Sequence, residues 1–241
     1  MQGDRKMRNR SRSNWVVAAL LAGAMLLFLL SGCALSTFFF GQEEEKTPSE
    51  LMSEGMEQMD KGYYKTAGES FGKVKDRYPY SKYAIQAELR LADALYRSGE
   101  YDQAYAAYEE FEKLHPKHES IPYVIYQRGM CHFDQMSTID RDQTHTVRAR
   151  EEFERVIGRF PKNEYAGMAR KNLRKCLIFL AEHELFVGRF YYKKGDYKAA
   201  LGRFTYIIEH FPDTGQYNEA IDYIGRCKER LAKQEQSQEE G

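Results

Sequence analysis

Gly62-Tyr63-Tyr64-Lys65-Thr66-Ala67-Gly68-Glu69-Ser70-Phe71, closed by Pro79, is the stretch on which the fold is read. It sets an aromatic two residues after a glycine, an alanine three later, a second aromatic four later and a proline eight later. The same order returns as Gly99-Tyr101-Ala104-Tyr108-Pro116 and as Gly195-Tyr197-Ala200-Phe204-Pro212. A fourth copy keeps only its second half, Ala149-Phe153-Pro161. Each residue type has a task in a pair of antiparallel helices. Glycine turns the chain out of the first helix, alanine admits close helix approach, the following aromatic plugs the hairpin and proline stops the second helix.

Self-similarity at a period of about 34 residues in this order marks a tetratricopeptide-type array. The expected fold is all-α, an α-solenoid of four to five helical hairpins. Helices are predicted at 48–61, 64–77, 81–98, 101–114, 119–136, 142–159, 163–194, 197–210 and 213–233. Two irregularities stand out. Ala149 comes eight residues later than a regular third repeat would place it, so Met136–Asp142 is expected to bulge as a surface loop. Between Tyr165 and Val187 only Gly167 interrupts the helix formers, with no proline, so 163–194 reads as one long helix of about 45 Å.

The amino terminus reads as a targeting segment, kept apart from the fold. Arg5, Lys6, Arg8, Arg10 and Arg12 precede an uncharged run, Trp15 to Leu30, that is short for a membrane span and suits a secretory signal. It ends in Leu30-Ser31-Gly32-Cys33, which resembles a bacterial lipobox. The expected division is a signal peptide at 1–32, a tether lipidated on Cys33 at 33–47, a repeat domain at 48–233 and a polar, fraying tail at 234–241. The covalent lipid is the only group expected beyond the polypeptide. Ala34 in place of aspartate implies sorting to the outer membrane, with the body on its periplasmic face.

Without residues 1–32 the chain has 31 basic against 35 acidic side chains. A mildly acidic body gives no reason to expect nucleic-acid binding. Cys131, Cys176 and Cys227 lie 45 and 51 residues apart within apolar helical patterns, and read as buried small hydrophobes rather than a disulfide framework. No enzyme is expected. His183-Glu184 lacks the second zinc histidine, since position 187 is Val187; His115 and His118 flank a proline in a turn; no nucleophile elbow or phosphate loop occurs.

Helix A of each repeat lines the concave face of such arrays. The residues placed there are Ser49, Met52, Met56 and Met59, then Gln86, Leu89, Asp93 and Tyr96, then Tyr123, Tyr126, Met130 and Phe133, with Arg97 and Arg128 close by. Adaptable methionines, rings and a guanidinium suit an extended peptide ending in an aromatic and a carboxylate. The plainer reading is that these side chains pack between neighbouring helices.

Leu180-Ala181-Glu182-His183-Glu184 and Val187-Gly188-Arg189-Phe190-Tyr191-Tyr192-Lys193-Lys194-Gly195-Asp196-Tyr197 resemble the core signature of the BamD family, also called competence lipoprotein ComL. So do Tyr78-Pro79-Tyr80, Tyr126-Gln127-Arg128-Gly129, Asp140-Arg141-Asp142-Gln143 and Phe211-Pro212-Asp213-Thr214. The resemblance covers about residues 33–230. It implies a component of the β-barrel assembly machinery that binds the POTRA domains of a BamA-type barrel protein and receives unfolded outer-membrane proteins, alongside accessory Bam lipoproteins. It implies partner binding through Arg203. The sequence departs from the family pattern in two places, a shorter loop around Met136–Asp142 and a carboxyl end that stops one helix short of five complete hairpins. A pilotin-like lipoprotein guiding a secretin is the alternative, distinguished by regular repeats without the long 163–194 helix.

Overall fold

The computed structural model describes residues 45–239, so Cys33, the expected signal peptide and most of the expected tether lie outside the described residues. From Pro48 onward the chain is helical: α1 (Pro48–Asp60), α2 (Tyr64–Arg77), α3 (Ala84–Arg97), α4 (Tyr101–Leu114), α5 (Ile121–Phe133), α6 (Thr144–Arg159), α7 (Glu164–Lys194), α8 (Tyr197–His210) and α9 (Tyr217–Glu239). Each helix packs on the next in order, and α7 also touches α5. This is the tetratricopeptide-type solenoid expected from the repeat.

The punctuation residues act as their chemistry requires. Gly62, Gly99 and Gly195 take φ of 80°, 82° and 84° in the turns within hairpins, a left-handed conformation that costs other residues. Tyr78, His115, Phe160 and Phe211 each precede a proline and leave the helix, while their N–H groups bond back to the carbonyls four residues before. The aromatics of the second helices, Phe71, Tyr108, Phe153 and Phe204, are completely buried.

What they bury against was not read from the sequence. A Cβ at Gly55 would sit 2.5 Å from the Phe71 ring, one at Gly129 2.6 Å from Phe153, and one at Gly188 2.6 Å from Phe204. Three first helices, α1, α5 and α7, thus offer a backbone notch to the ring of their partner, whereas α3 has no glycine and Tyr108 instead donates its hydroxyl to Asp93 at 2.7 Å. Because Gly188 belongs to α7 and Phe204 to α8, the carboxyl half of the long helix serves as the first helix of the last hairpin. The other half packs on α6 through Ala166, Ala169 and Cys176.

Asn163 caps α7 by accepting from Tyr165 N–H at 2.9 Å, and left-handed Gly195 ends it. The helix runs unbroken for 31 residues, about 46 Å. The loop expected at Met136–Asp142 is present and fastened. Buried Gln143 donates to the carbonyls of Thr138 and Arg141, and His183 of α7 donates to the carbonyl of Ile139 at 2.6 Å.

Several boundaries differ from expectation: α3 starts at Ala84 rather than 81 and α6 at Thr144 rather than 142. Helix α5 is shorter than 119–136. Helix α9 starts at Tyr217 rather than 213, because Gly215 at φ 93° and the Thr214 hydroxyl bonded to the Phe211 carbonyl make a turn there. It then continues to Glu239, past the boundary set at Lys233, since Gln, Glu and Lys are good helix formers and no glycine or proline intervenes before Gly241. Cys131, Cys176 and Cys227 are buried, unpaired thiols, and burial pushes the first two up to about 12, which leaves them inert. No helix among the described residues is long and apolar enough to cross a membrane.

Candidate functional site

Two surfaces concentrate the residues singled out by sequence. The first is the face formed by the leading helices. Three of its expected members are buried instead: Asp93, 6% exposed, which accepts from Tyr108 and Tyr123, and two apolar residues of the core. Met52 is 5% exposed and packs with Leu51, Phe71 and Val74. Tyr126 is 8% exposed, its ring set against Phe153 and Tyr165. Both sit where a neighbouring helix covers the first helix, a contact that one repeat alone does not reveal.

Met56, Met59, Tyr96, Tyr123, Met130 and Phe133 are half-buried, each with its inner side against the core. Tyr123 is tied inward. Its hydroxyl donates to Asp93 at 2.6 Å, as that of Tyr108 does at 2.7 Å, and burial with this carboxylate pushes the Tyr123 phenol up. Tyr96 donates to Asp134 at the end of α5, and burial followed by that carboxylate raises its phenol too. Arg97, the last residue of α3, is exposed.

The cation placed by sequence at Arg128 is elsewhere. Arg128 is 7% exposed, and binds Glu112 at 2.9 Å and Glu152 at 2.7 Å, carboxylates of α4 and α6. It cannot meet a ligand. Its place is taken by Lys175 of α7, whose ammonium stands 5.7 Å above the Phe133 ring. Asn172, one turn earlier, donates to the Tyr126 hydroxyl at 3.2 Å and to the Met130 sulfur at 3.1 Å. Met130, Phe133, Asn172 and Lys175 therefore form one patch of soft, aromatic, amide and cationic groups. Sequence reasoning missed Asn172 and Lys175 because 42 residues separate Lys175 from Phe133. The only signal was the long helix itself.

The second surface surrounds Arg203. A pocket of about 500 Å³ opens between α7 and α8, lined by Glu184, Tyr191, Ala199, Gly202, Arg203 and Tyr206. Glu184 and Tyr191 are seven residues apart and so share a face of α7. The guanidinium donates through Nη1 to both Glu184 oxygens, at 3.0 and 3.3 Å. Its side chain stays 45% exposed, so its outer N–H groups can take an incoming carboxylate. Tyr206, 40% exposed, stacks on His210 at 3.9 Å between centroids and walls the pocket with a fixed ring. No group of three or more metal-ligating side chains occurs among the described residues.

Residues 44–240 match the family model YfiO, described as outer membrane lipoprotein. The chain is 31% identical over 205 residues to the outer membrane protein assembly factor BamD of Caulobacter vibrioides, covering 85% of this chain and 67% of that one. It is 33% identical to the BamD of Rickettsia prowazekii over 71% of this chain and 68% of that one. Identity to the BamD of Vibrio cholerae is 29%, over 84% and 87%. Among solved structures it is similar to the TPR2AB-domain:pHSP90 complex of yeast Sti1, with a TM-score of 0.44 and 16% identity over 76% of this chain and 70% of that one, a likeness too remote to bear on function. A match over nearly the whole described chain, on a scaffold of stacked helical hairpins, is decisive: the chain belongs to the YfiO family of outer membrane lipoproteins.

Proposed function

We propose that the protein is a non-enzymatic scaffold for outer-membrane protein assembly, held at the periplasmic face of the outer membrane by lipid on Cys33. Family membership over residues 44–240 carries the reading. In it, the α7–α8 pocket docks a POTRA domain of a BamA-type barrel protein, with Arg203 receiving a partner carboxylate. The half-buried face made by Met56, Met59, Tyr96, Arg97, Met130, Phe133 and Lys175 receives unfolded outer-membrane chains. Accessory Bam lipoproteins complete the assembly. The long α7 supports this division of labour, since one rigid element contributes Lys175 to the client face and Glu184 and Tyr191 to the docking pocket.

Affinity capture of the lipidated protein from detergent-solubilised outer membranes tests it. A POTRA-containing barrel protein recovered in stoichiometric amount, and lost on Arg203→Glu without a change in melting temperature, is the expected result. Recovery of a secretin and no barrel-assembly protein would overturn it.

A further inference from the structure

One edge of the repeat stack carries a charge pattern that neither the pocket nor the client face uses. Antiparallel hairpins put the end of each second helix beside the start of the next first helix. The loops 78–83, 115–120 and 160–163 therefore come to one edge, together with the start of α1. Tyr83 and Ser49 hydroxyls meet there at 3.3 Å, His115 bonds Glu88 at 2.7 Å, and the rings of Tyr123 and Tyr165 lie 5.3 Å apart.

Each of these loops carries an exposed lysine after its helix-stopping proline, Lys117 and Lys162 directly after it and Lys82 three residues on. None has an ion-pair partner among the described residues. Lys82 lies over the Tyr83 ring at 5.0 Å. Within the three loops only Glu119 opposes them; Arg77 and Asp76 offset one another at the end of α2, Glu164 opens α7 and Glu50 stands in the first turn of α1. Beside the lysines, Tyr80 is 101% and Leu114 57% exposed. The fourth loop of this kind is displaced by the length of α7. It lies against the middle of that helix, where Gln216 reaches Glu182 at 3.4 Å, and there Asp213 follows the proline and the loop 211–216 has no lysine. Lysine follows the edge, not the repeat.

We propose that this edge rests on an anionic lipid surface, with Lys82, Lys117 and Lys162 at the headgroups and Tyr80 and Leu114 in the interface. The inference rests on the lipid anchor of the proposed function. The folded chain begins at Pro48 on this edge, 15 residues after Cys33, within about 50 Å of it even when fully extended. A basic patch is the usual second signal that steadies a lipid-anchored protein, and tyrosine is favoured at membrane interfaces. Each lysine brought to an anionic surface favours the seated state by about fivefold, an effect that salt screens. Seating by this edge would fix the tilt of the stack and so the direction in which the pocket and client face open.

The chain has one tryptophan, Trp15, in the segment removed with the signal peptide, so Tyr80→Trp makes a lone reporter in the mature protein. The lipidated protein is reconstituted in vesicles whose acyl chains are brominated, with and without phosphatidylglycerol. Emission from position 80 should be quenched and blue-shifted in anionic vesicles. The quenching should be lost at high salt and on joint Lys82→Glu, Lys117→Glu and Lys162→Glu replacement. Tryptophan in place of Ile221, exposed on α9, should stay unquenched. Vesicle-bound protein with no quenching at position 80, or equal quenching at both positions, overturns the edge contact while the anchor stands. Protein that fails to join the vesicles overturns both. Loss of barrel-protein capture in the triple variant, with position 80 unquenched, would assign the lysines to an acidic protein instead.

Discussion

Gly188 of α7 lies against Phe204 of α8 so closely that a Cβ at position 188 would be 2.6 Å from the ring. The contact joins the long helix to the last hairpin and repeats the Gly55–Phe71 and Gly129–Phe153 pairs. Gly188→Ala should destabilise the protein by about 1–3 kcal/mol, because the buried ring has no free rotamer to move into. Gly225→Ala in α9, with nothing within 4 Å, should instead stabilise by about 0.5–1 kcal/mol. Thermal unfolding of the two variants checks both signs.

Arg128 binds the carboxylates of α4 and α6 from within the stack. Its Nε is buried without a partner, so the site is already costly. Arg128→Met should lower stability by about 3 kcal/mol by leaving Glu112 and Glu152 short of charge, and Arg128→Lys should recover little, since one ammonium cannot span both. Urea denaturation measures this.

His132 is 3% exposed and stands 3.2 Å from His145 between their Nδ1 atoms. Burial first, then His145 and Arg148, push its imidazole down to about 4, while Asp102 pulls weakly the other way. An unfolded chain takes up this proton near its ordinary 6.5, whereas the folded chain resists until about 4. Stability from this group is therefore complete above pH 6.5 and is lost as pH falls from 6.5 through 4, by about 2–3 kcal/mol. His132→Gln should flatten the profile in that window relative to the parent protein in urea unfolding at pH 7.5 and 4.5.

Tyr96 and Phe133 keep one side open, and Lys175 stands over the latter. Joint Tyr96→Ser and Phe133→Ser replacement should weaken binding of a synthetic barrel-strand peptide more than tenfold while costing about 1–2 kcal/mol of stability. Lys175→Glu should weaken the same peptide with no change in melting temperature. Fluorescence anisotropy beside calorimetry compares the losses, and loss of binding only in step with loss of fold would defeat the client face.

The hairpins were legible because their marks are local. Glycine at positive φ, alanine and a ring four residues on, and proline after the cap all act within one turn or one hairpin, so Gly62, Ala67, Phe71 and Pro79 could be read in order. The run 163–194 was legible for a similar reason, as nothing in it stops a helix. Met52 and Tyr126 were misplaced because the repeat says which side of a first helix faces inward, not how far the neighbouring hairpin overlaps it. Lys175 was invisible because its meeting with Phe133 depends on the path of α7.

By itself the chain's sequence determined the helices, their pairing and the family, since these rest on short-range sterics and on strings that sit together along the chain. Tertiary structure alone decided that Arg128 is a buried tie and Lys175 an open cation, that Glu184 sets the pocket around Arg203, and that three lysines share one edge while Asp213 does not. Those outcomes turn on the stacking of one helix against the next, where burial and charge are settled between residues 16 or more positions apart.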